Sequence, residues 1–335
     1  MKSFGFQWHI TDRCNQRCKH CYQDDFTAAS ELPAERLCEI ADRIFGGIPE
    51  REISVNITGG EPLLHPHLFD LIDRMHGYPN LCEVNIITNG TIATDTVLER
   101  IRAFPKIGVI KLSLEAGEEG PNDLIRGPGN FRRVVAGIDR MVAGSGKPVV
   151  VMITLGAYNV NEIDGVVRLA REHGVAGIIF ERFVPLGSGK AILSQALDSR
   201  GWEQAVASIA AVSGVDSEPE DLLPYRAFWL WTDGRAGDVL DGALCNLGDE
   251  SMAVMPDGTV HPCRRLPVFA GNVLATPFAE ILHGLKRYSA ENICNALTGE
   301  HCGMCGIEGC AGCRALARAL TGDMLADDPQ CILNR

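Results

Sequence analysis

Three cysteines, in the stretch Cys14-Asn15-Gln16-Arg17-Cys18-Lys19-His20-Cys21-Tyr22, are the residues of this chain best placed to do chemistry. They follow a short apolar run, Phe4 to Ile10. Three thiolates this close cannot all pair as disulfides, and they are one ligand short of a closed zinc site. They can hold three irons of a cubane cluster and leave the fourth iron open for a reactant. A structural zinc knuckle that borrows His20 as its fourth ligand is the alternative for the same residues.

A second set of cysteines crowds the end of the chain. Cys245 and Cys263 bracket Met252–Val260, where Pro256-Asp257-Gly258-Thr259 reads as a hairpin turn between two short strands. Cys302, Cys305, Cys310, Cys313 and Cys331 follow, with a short helix expected over Arg314–Leu320. Thiolates at these spacings suit iron–sulfur clusters, or two zinc sites of the ribbon kind. Cys38 and Cys82 fall in a predicted helix and just before a strand, and core packing is expected of both. Cys294 has no such assignment.

Composition bounds the chemistry. The chain has 335 residues, 46% of them hydrophobic, enough for a substantial core. Its net charge of −12 argues against a nucleic-acid surface. Thirteen cysteines in a chain this long, clustered at ligand spacings, point to metal in a reducing compartment rather than to a disulfide scaffold. No apolar run is long enough for a membrane span and no charged-then-apolar leader opens the chain, so a cytoplasmic protein is expected.

The elements that must position the cysteines alternate in type. Candidate strands are Phe4–Ile10, Ile53–Ile57, Val84–Thr88, Val109–Leu114, Val149–Leu155 and Gly177–Phe183. Amphipathic stretches lie between them: Ala34–Phe45, His67–Met75, Asp95–Ala103, Phe131–Val142 and Glu162–His173. Such strand–helix units build a parallel sheet with right-handed crossovers. Gly59-Gly60-Glu61-Pro62 follows the second strand, Thr88-Asn89-Gly90 the third, Ser113 and Glu115 close the fourth, and Pro185-Leu186-Gly187-Ser188-Gly189 follows the sixth. Barrels of parallel strands build their sites at the strands' C-terminal ends, so these groups and the first cysteines are expected around one cavity. Glu181 and Arg182 end strand six and face the same mouth. His9, Gln7 and Trp8 on the first strand are read as ordinary packing, as are Phe228, Trp229 and Trp231. A helix is expected over Trp202–Val212 and a turn-rich link over Asp216–Pro224.

The spacing of Cys14, Cys18 and Cys21 after a first strand, followed by Gly59-Gly60-Glu61-Pro62, resembles the radical S-adenosylmethionine (SAM) superfamily. The resemblance implies an α/β fold, a partial (β/α)6 TIM-type barrel over residues 1–192. It implies that SAM chelates the open iron, that an electron from the cluster breaks the sulfonium C–S bond, and that the 5′-deoxyadenosyl radical takes a hydrogen from the substrate. It implies that Gly59, Gly60 and Glu61 meet the SAM amino group. Ser113, Glu115 and Arg126 resemble the family's ribose and carboxylate contacts, and equally read as strand-end or loop residues with local hydrogen bonds. His20 stands where the family has an aromatic against the adenine. Cys245, twelve residues, Gly258, four residues and Cys263 are similar to the opening of the SPASM domain, implying a small cysteine-rich SPASM-like domain over 241–335 after a bridging region, 193–240. By that pattern Cys302, Cys305, Cys310 and Cys331 close one auxiliary [4Fe–4S] cluster, in a block compressed relative to the usual one. Cys245, Cys263 and Cys313 then supply three ligands to another. Ser251 stands where several relatives have a further cysteine, so the fourth ligand is open between Asp249, Ser251, Cys294 and none.

The function implied is radical modification of a ribosomally made peptide, by thioether or carbon–carbon crosslinking or by side-chain oxidation. The rivals are an anaerobic sulfatase-type formylglycine maturase, a maturase of a small molecule such as a haem precursor, and a non-catalytic iron–sulfur or zinc protein. Arg13, Arg17 and Lys19 interleave with the cysteines, either as a solvated face or as a landing site for an acidic flavodoxin- or ferredoxin-type electron donor. No nucleic-acid or membrane partner is expected. With strand one at Phe4, no N-terminal peptide-recognition domain is expected, and leader binding falls to the barrel rim, the tail domain or a separate protein. No residue is singled out as a catalytic base.

Overall fold

Phe4, Phe6 and Trp8 alternate with Gly5 and Gln7 along β1 (Ser3–His9), and that period of two orients the sheet around it. The three aromatics are at most 1% exposed, each burial contributing about 1.5–3 kcal/mol. The alternate positions turn to the inner face, where a Cβ on Gly5 would meet Ser54 Oγ at 3.1 Å. The computed structural model describes residues 3–215, 219–222, 224–232, 239–248, 250–308 and 310–333.

From β1 the chain runs through α1 (Ala34–Gly47), β2 (Glu52–Thr58), α2 (Leu68–His76), β3 (Leu81–Thr88), α3 (Asp95–Ala103) and β4 (Ile107–Ser113). It continues through α4 (Glu119–Arg126), α5 (Asn130–Gly144), β5 (Val149–Leu155), α6 (Ile163–Glu172) and β6 (Gly177–Arg182). Strands β1 to β6 pair in sequence order and all in parallel. The six candidate strands and five helical stretches therefore stand, with ends shifted by up to three residues. Helix α4 is the addition: it is eight residues long with Gly120 and Pro121 near its start, residues that read as a turn. Its Asp123 accepts from Phe131 N at 2.7 Å and so joins α4 to the start of α5.

Helix α7 (Ser199–Ser213) opens on Asp198, whose carboxylate accepts from Gly201 N at 2.8 Å. Strands β7 (Ala227–Trp231) and β8 (Val239–Ala243) then add to β6 in antiparallel fashion. On the far edge β9 (Ser251–Val254) lies parallel to β1, and β10 (Thr259–His261) and β11 (Gly271–Asn272) continue the sheet as hairpins. The result is one open, mixed sheet in the order β11-β10-β9-β1-β2-β3-β4-β5-β6-β7-β8. The cysteine-rich tail thus shares the barrel's sheet, and α8 (Phe278–Leu285), α9 (Ala290–Cys294) and α10 (Arg314–Thr321) complete it.

Two packing expectations need correction. Cys82 is exposed, because Leu81 and Val84 take the core positions at the start of β3. Cys38 is half-buried, one position off the stripe Leu37, Ile40, Ala41 and Ile44 on α1. Of the three aromatics on the strand Ala227–Trp231, Phe228 is in the core while Trp229 and Trp231 are half-buried and stacked on each other at 4.6 Å. Residues 216–218 and 223 of the turn-rich link, and Asp249, lie outside the described residues. Among the described residues no helix is long and apolar enough to cross a membrane.

Candidate active site

The C-terminal ends of the parallel strands open on a cavity of about 130 Å³. Cys14, Cys18 and Cys21 line it together with Gly59, Gly60, Asn89, Ser113, Arg126, Glu181 and Arg182. The loops after β2, β3 and β4 thus meet at one mouth.

The cysteine loop has no regular structure of its own, so its shape comes from its neighbours. Gly60 N donates to Thr11 O and Glu61 N to Arg13 O, both at 2.7 Å. A Cβ on Gly60 would stand 2.3 Å from Arg13 O, closer than any side chain tolerates. The glycine pair therefore serves first to let two backbones touch. On the other side Gly189 N donates to Cys21 O at 2.9 Å, and Gly187, at φ +50°, would drive a Cβ to 2.4 Å from Gln23 C. Asn89 bridges the third side, its Nδ2 donating to Asn15 Oδ1 at 2.8 Å and lying 4.0 Å from Cys14 Sγ.

Two buried carboxylates hold the rim in different ways. Glu61 turns away from the loop's backbone and accepts from Thr88 Oγ1 and Asn89 N, each at 2.7 Å. Burial pushes its carboxyl up to about 6 despite these bonds. Glu115 accepts from Arg126 Nη2 at 2.7 Å and Thr154 N at 2.9 Å, with His20 Nε2 at 3.2 Å. Burial opposes ionisation there too, but His20 and Arg126 outweigh it and hold Glu115 down to about 2. Arg126 is thereby fixed with Nη1 4.0 Å from Cys18 Sγ. His20 is committed to Glu115 through Nε2, while its buried Nδ1 has no partner among the described residues. Among the described residues no three His, Cys, Asp or Glu side chains converge on a single point.

The tail cysteines fall into two groups. Cys302, Cys305, Cys310 and Cys331 line a second, small cavity of about 20 Å³. Cys245, Cys263 and Cys313 pack together against Val184, Leu247, Leu266 and Leu316. Asp328 ties the groups: its Oδ2 accepts from Cys313 N at 2.8 Å while its N–H donates to Cys302 Sγ at 3.3 Å. The same carboxylate faces Arg182 at 3.0 Å and Arg226 at 3.6 Å, and Arg226 Nη2 donates to Cys310 Sγ at 2.8 Å. Arg182 lines both cavities. Cys294 stands beside Cys310, donating to its carbonyl at 3.7 Å. Ser251 is on β9 and its hydroxyl is spent on Asn246 O.

Several residues at the cavity escaped the sequence reading. Tyr22 hydrogen-bonds His9 Nδ1 at 2.8 Å and donates to Gly59 O at 3.3 Å, and His9 in turn lies 2.9 Å from Asp12. His9 is as buried as expected, but as part of a polar chain. Arg264 and Arg265 reach the cavity from the tail, and their signal was available: two arginines directly after Cys263 in an acidic chain. Asp328 had none, since its partners lie far away in sequence.

Three free thiols at one wall, a guanidinium held beside them and backbone-lined glycine edges fit a thiolate-bound cluster and a small zwitterionic cofactor. Comparison with known proteins agrees. A model of the radical SAM superfamily matches residues 8–170, and one of the SPASM iron–sulfur cluster-binding domain matches 245–313. The AdoMet-dependent heme synthase of Methanosarcina barkeri is 28% identical over 347 residues, covering 97% of this chain and 95% of that one. The mycofactocin maturase MftC of Mycobacterium tuberculosis is 26% identical over 333 residues, covering 97% and 82%. The fold resembles that of anSMEcpe solved with bound AdoMet and Cp18Cys peptide, with a TM-score of 0.73, 17% identity and coverage of 98% and 93%. The cofactors are a SAM-binding [4Fe–4S] cluster, SAM itself and one or two auxiliary [4Fe–4S] clusters. This chain is an enzyme of the radical SAM superfamily that carries a SPASM domain.

Proposed function

We propose that this enzyme oxidatively modifies a ribosomally made peptide, crosslinking it through a thioether or carbon–carbon bond or oxidising a side chain. The observation that carries the reading is that Arg182 lines both the cavity at Cys14, Cys18 and Cys21 and the one at Cys302, Cys305, Cys310 and Cys331. In it Cys14, Cys18 and Cys21 hold the SAM-binding cluster. Gly59, Gly60, Ser113, His20 and Arg126 contact SAM, while Glu61 and Glu115 hold those contacts in place. Cys302, Cys305, Cys310 and Cys331 hold one auxiliary cluster, and Cys245, Cys263 and Cys313 supply three ligands to a second. When bound, SAM and its cluster supply a reductively generated, hydrogen-abstracting radical. The chain's own residues position the substrate, keep water from the buried wall and offer the substrate's second electron a route toward the tail. The exposed Arg17 and Lys19 beside the cysteine loop are the proposed contact for a flavodoxin- or ferredoxin-type donor, whereas Arg13 is already paired with Glu31 at 2.6 Å.

A peptide is supported by the maturase MftC among the relatives and by the fold neighbour solved with bound AdoMet and Cp18Cys peptide. A haem-precursor substrate is the second reading, supported by the near full-length match to the AdoMet-dependent heme synthase. Co-expression with small peptides encoded beside the gene, followed by mass spectrometry, separates them. Loss of two hydrogens from a peptide supports the first reading. An unmodified peptide, together with oxidation of a tetrapyrrole by the reduced enzyme, overturns it.

A further inference from the structure

Among the described residues, Arg126, Arg182 and Arg265 on the cavity wall each have a carboxylate within 3.5 Å. Arg126 is held by Glu115 at 2.7 Å, and Arg182 by Asp328 at 3.0 Å. Arg265 donates to Arg182 O at 2.9 Å, has Glu181 at 3.5 Å, and lies with its N–H 3.4 Å from Cys263 Sγ. Arg264 has less. Its guanidinium is 3.9 Å from Glu181, 3.4 Å from Thr58 Oγ1 and 4.7 Å above the Tyr22 ring, and its Nε has no partner among the described residues. Its side chain is only 8% exposed. Glu181 is also shared: it faces Arg264 and Arg265, and it is the first of the charges acting on the buried Lys111, whose Nζ donates to Asn56.

We propose that Arg264 is a specificity-determining residue that anchors a carboxylate of the substrate in the active-site cavity. A buried guanidinium with unspent donors is costly unless an anion completes it. Its planar fork matches a carboxylate with two parallel hydrogen bonds. The contacts of Arg264 lie with Thr58 and Tyr22, on the side of the Cys14–Cys18–Cys21 loop. The Arg226 guanidinium, by contrast, donates to Cys310 Sγ, and the Arg265 side chain has Cys263 as a partner. Arg264 therefore serves neither auxiliary set. The inference rests on a substrate being oxidised in this cavity, not on that substrate being a peptide. An acidic side chain or C-terminus and a tetrapyrrole propionate present the same chemistry.

The test uses anaerobic holoenzyme with SAM, with binding read by equilibrium dialysis. The probes are N-acetylated, amidated Gly-X-Gly tripeptides with Asp, Asn, Glu, Gln or Lys at X, and iron coproporphyrin III with its tetramethyl ester. The expected result is a preference of about tenfold for an acid over its amide or ester. Arg264→Gln removes that preference and Arg264→Lys restores part of it. Glu181→Gln, which removes the competing carboxylate, tightens acid binding several-fold. Acidic peptides bound and then lost in Arg264→Gln support both the anchor and the peptide reading. Porphyrin acid alone bound and lost supports the anchor and overturns the peptide reading. Equal binding of acid and neutral forms, no probe binding to the parent enzyme, or a preference that survives in Arg264→Gln overturns the anchor. Iron content and thermal melting accompany every variant. If Arg264→Gln fails to fold, the parent's acid preference and its rise in Glu181→Gln decide the matter.

Discussion

Cys14, Cys18 and Cys21 lie in one short loop and are gripped from outside by backbone from the ends of β2 and β6. The seven tail cysteines are spread from 245 to 331 and are gathered largely by side chains, with Asp328 at the centre of the network. The first arrangement depends on close approach of main chain to main chain. The second depends on one buried charge shared between two arginines. Backbone docking tolerates changes of side chain but no added Cβ. A charge knot tolerates added volume better than loss of a partner.

The sharpest way to break the comparison is to remove the thiols. Replacing Cys14, Cys18 or Cys21 by alanine should lower 5′-deoxyadenosine formation by the dithionite-reduced enzyme at least about a thousandfold, an effect of about 4 kcal/mol. Cys302→Ala should remove iron yet leave that uncoupled cleavage within about tenfold. Equal losses from both would mean that the two regions are not separable in function.

Asp328→Asn tests the charge knot. It removes the carboxylate that the buried Arg182 and Arg226 share, and destabilisation by about 3–5 kcal/mol is expected in a denaturant melt. A variant as stable as the parent would show that the network does not hold the tail together.

Gly60→Ala addresses the backbone grip. With its Cβ 2.3 Å from Arg13 O the loop must move, at a cost of about 1–3 kcal/mol, and SAM binding by equilibrium dialysis should weaken. Unchanged affinity would mean that the loop accommodates the methyl without disturbing the site.

The smallest effect separates the two rim carboxylates by pH. Glu61, ordinarily near 4.5, is raised to about 6, so the folded chain keeps a proton that the unfolded chain has released. Its contribution is full below pH 4.5 and is lost as the pH rises through about 6. Glu115 is lowered to about 2, so its contribution is present above pH 4.5 and is lost as the pH falls toward 2. Glu61→Gln should flatten the decline in melting temperature between pH 4.5 and 6, about 2 kcal/mol in all, and leave the acid limb untouched. A decline that persists in the variant assigns it to another group.

The six parallel strands were legible because burial on both faces writes itself as short β-branched runs, and Val149–Leu155 coincides with its strand residue for residue. The hairpin at Pro256–Thr259 was legible from its turn residues, but its pairing with β1 was not, because Gly5 and Ser251 are joined only by the fold. The sequence left the place of Cys294 open for the same reason: sequence distance says nothing of which thiols a helix end will face, and it stands beside Cys310.

Residue types and spacing on their own determined the alternation of strand and helix, the three-thiol loop and the Gly59–Gly60 pair, since each rests on contacts between near neighbours or on a local steric rule. Only the tertiary structure decided that Asp328 would join the two tail groups, that Glu115 would fix Arg126 beside Cys18, and that Arg264 would lie with an unspent donor in the cavity wall. Those outcomes depend on the low-dielectric interior, where the charge and hydrogen-bond partners a residue meets are set by packing rather than by its neighbours in the chain.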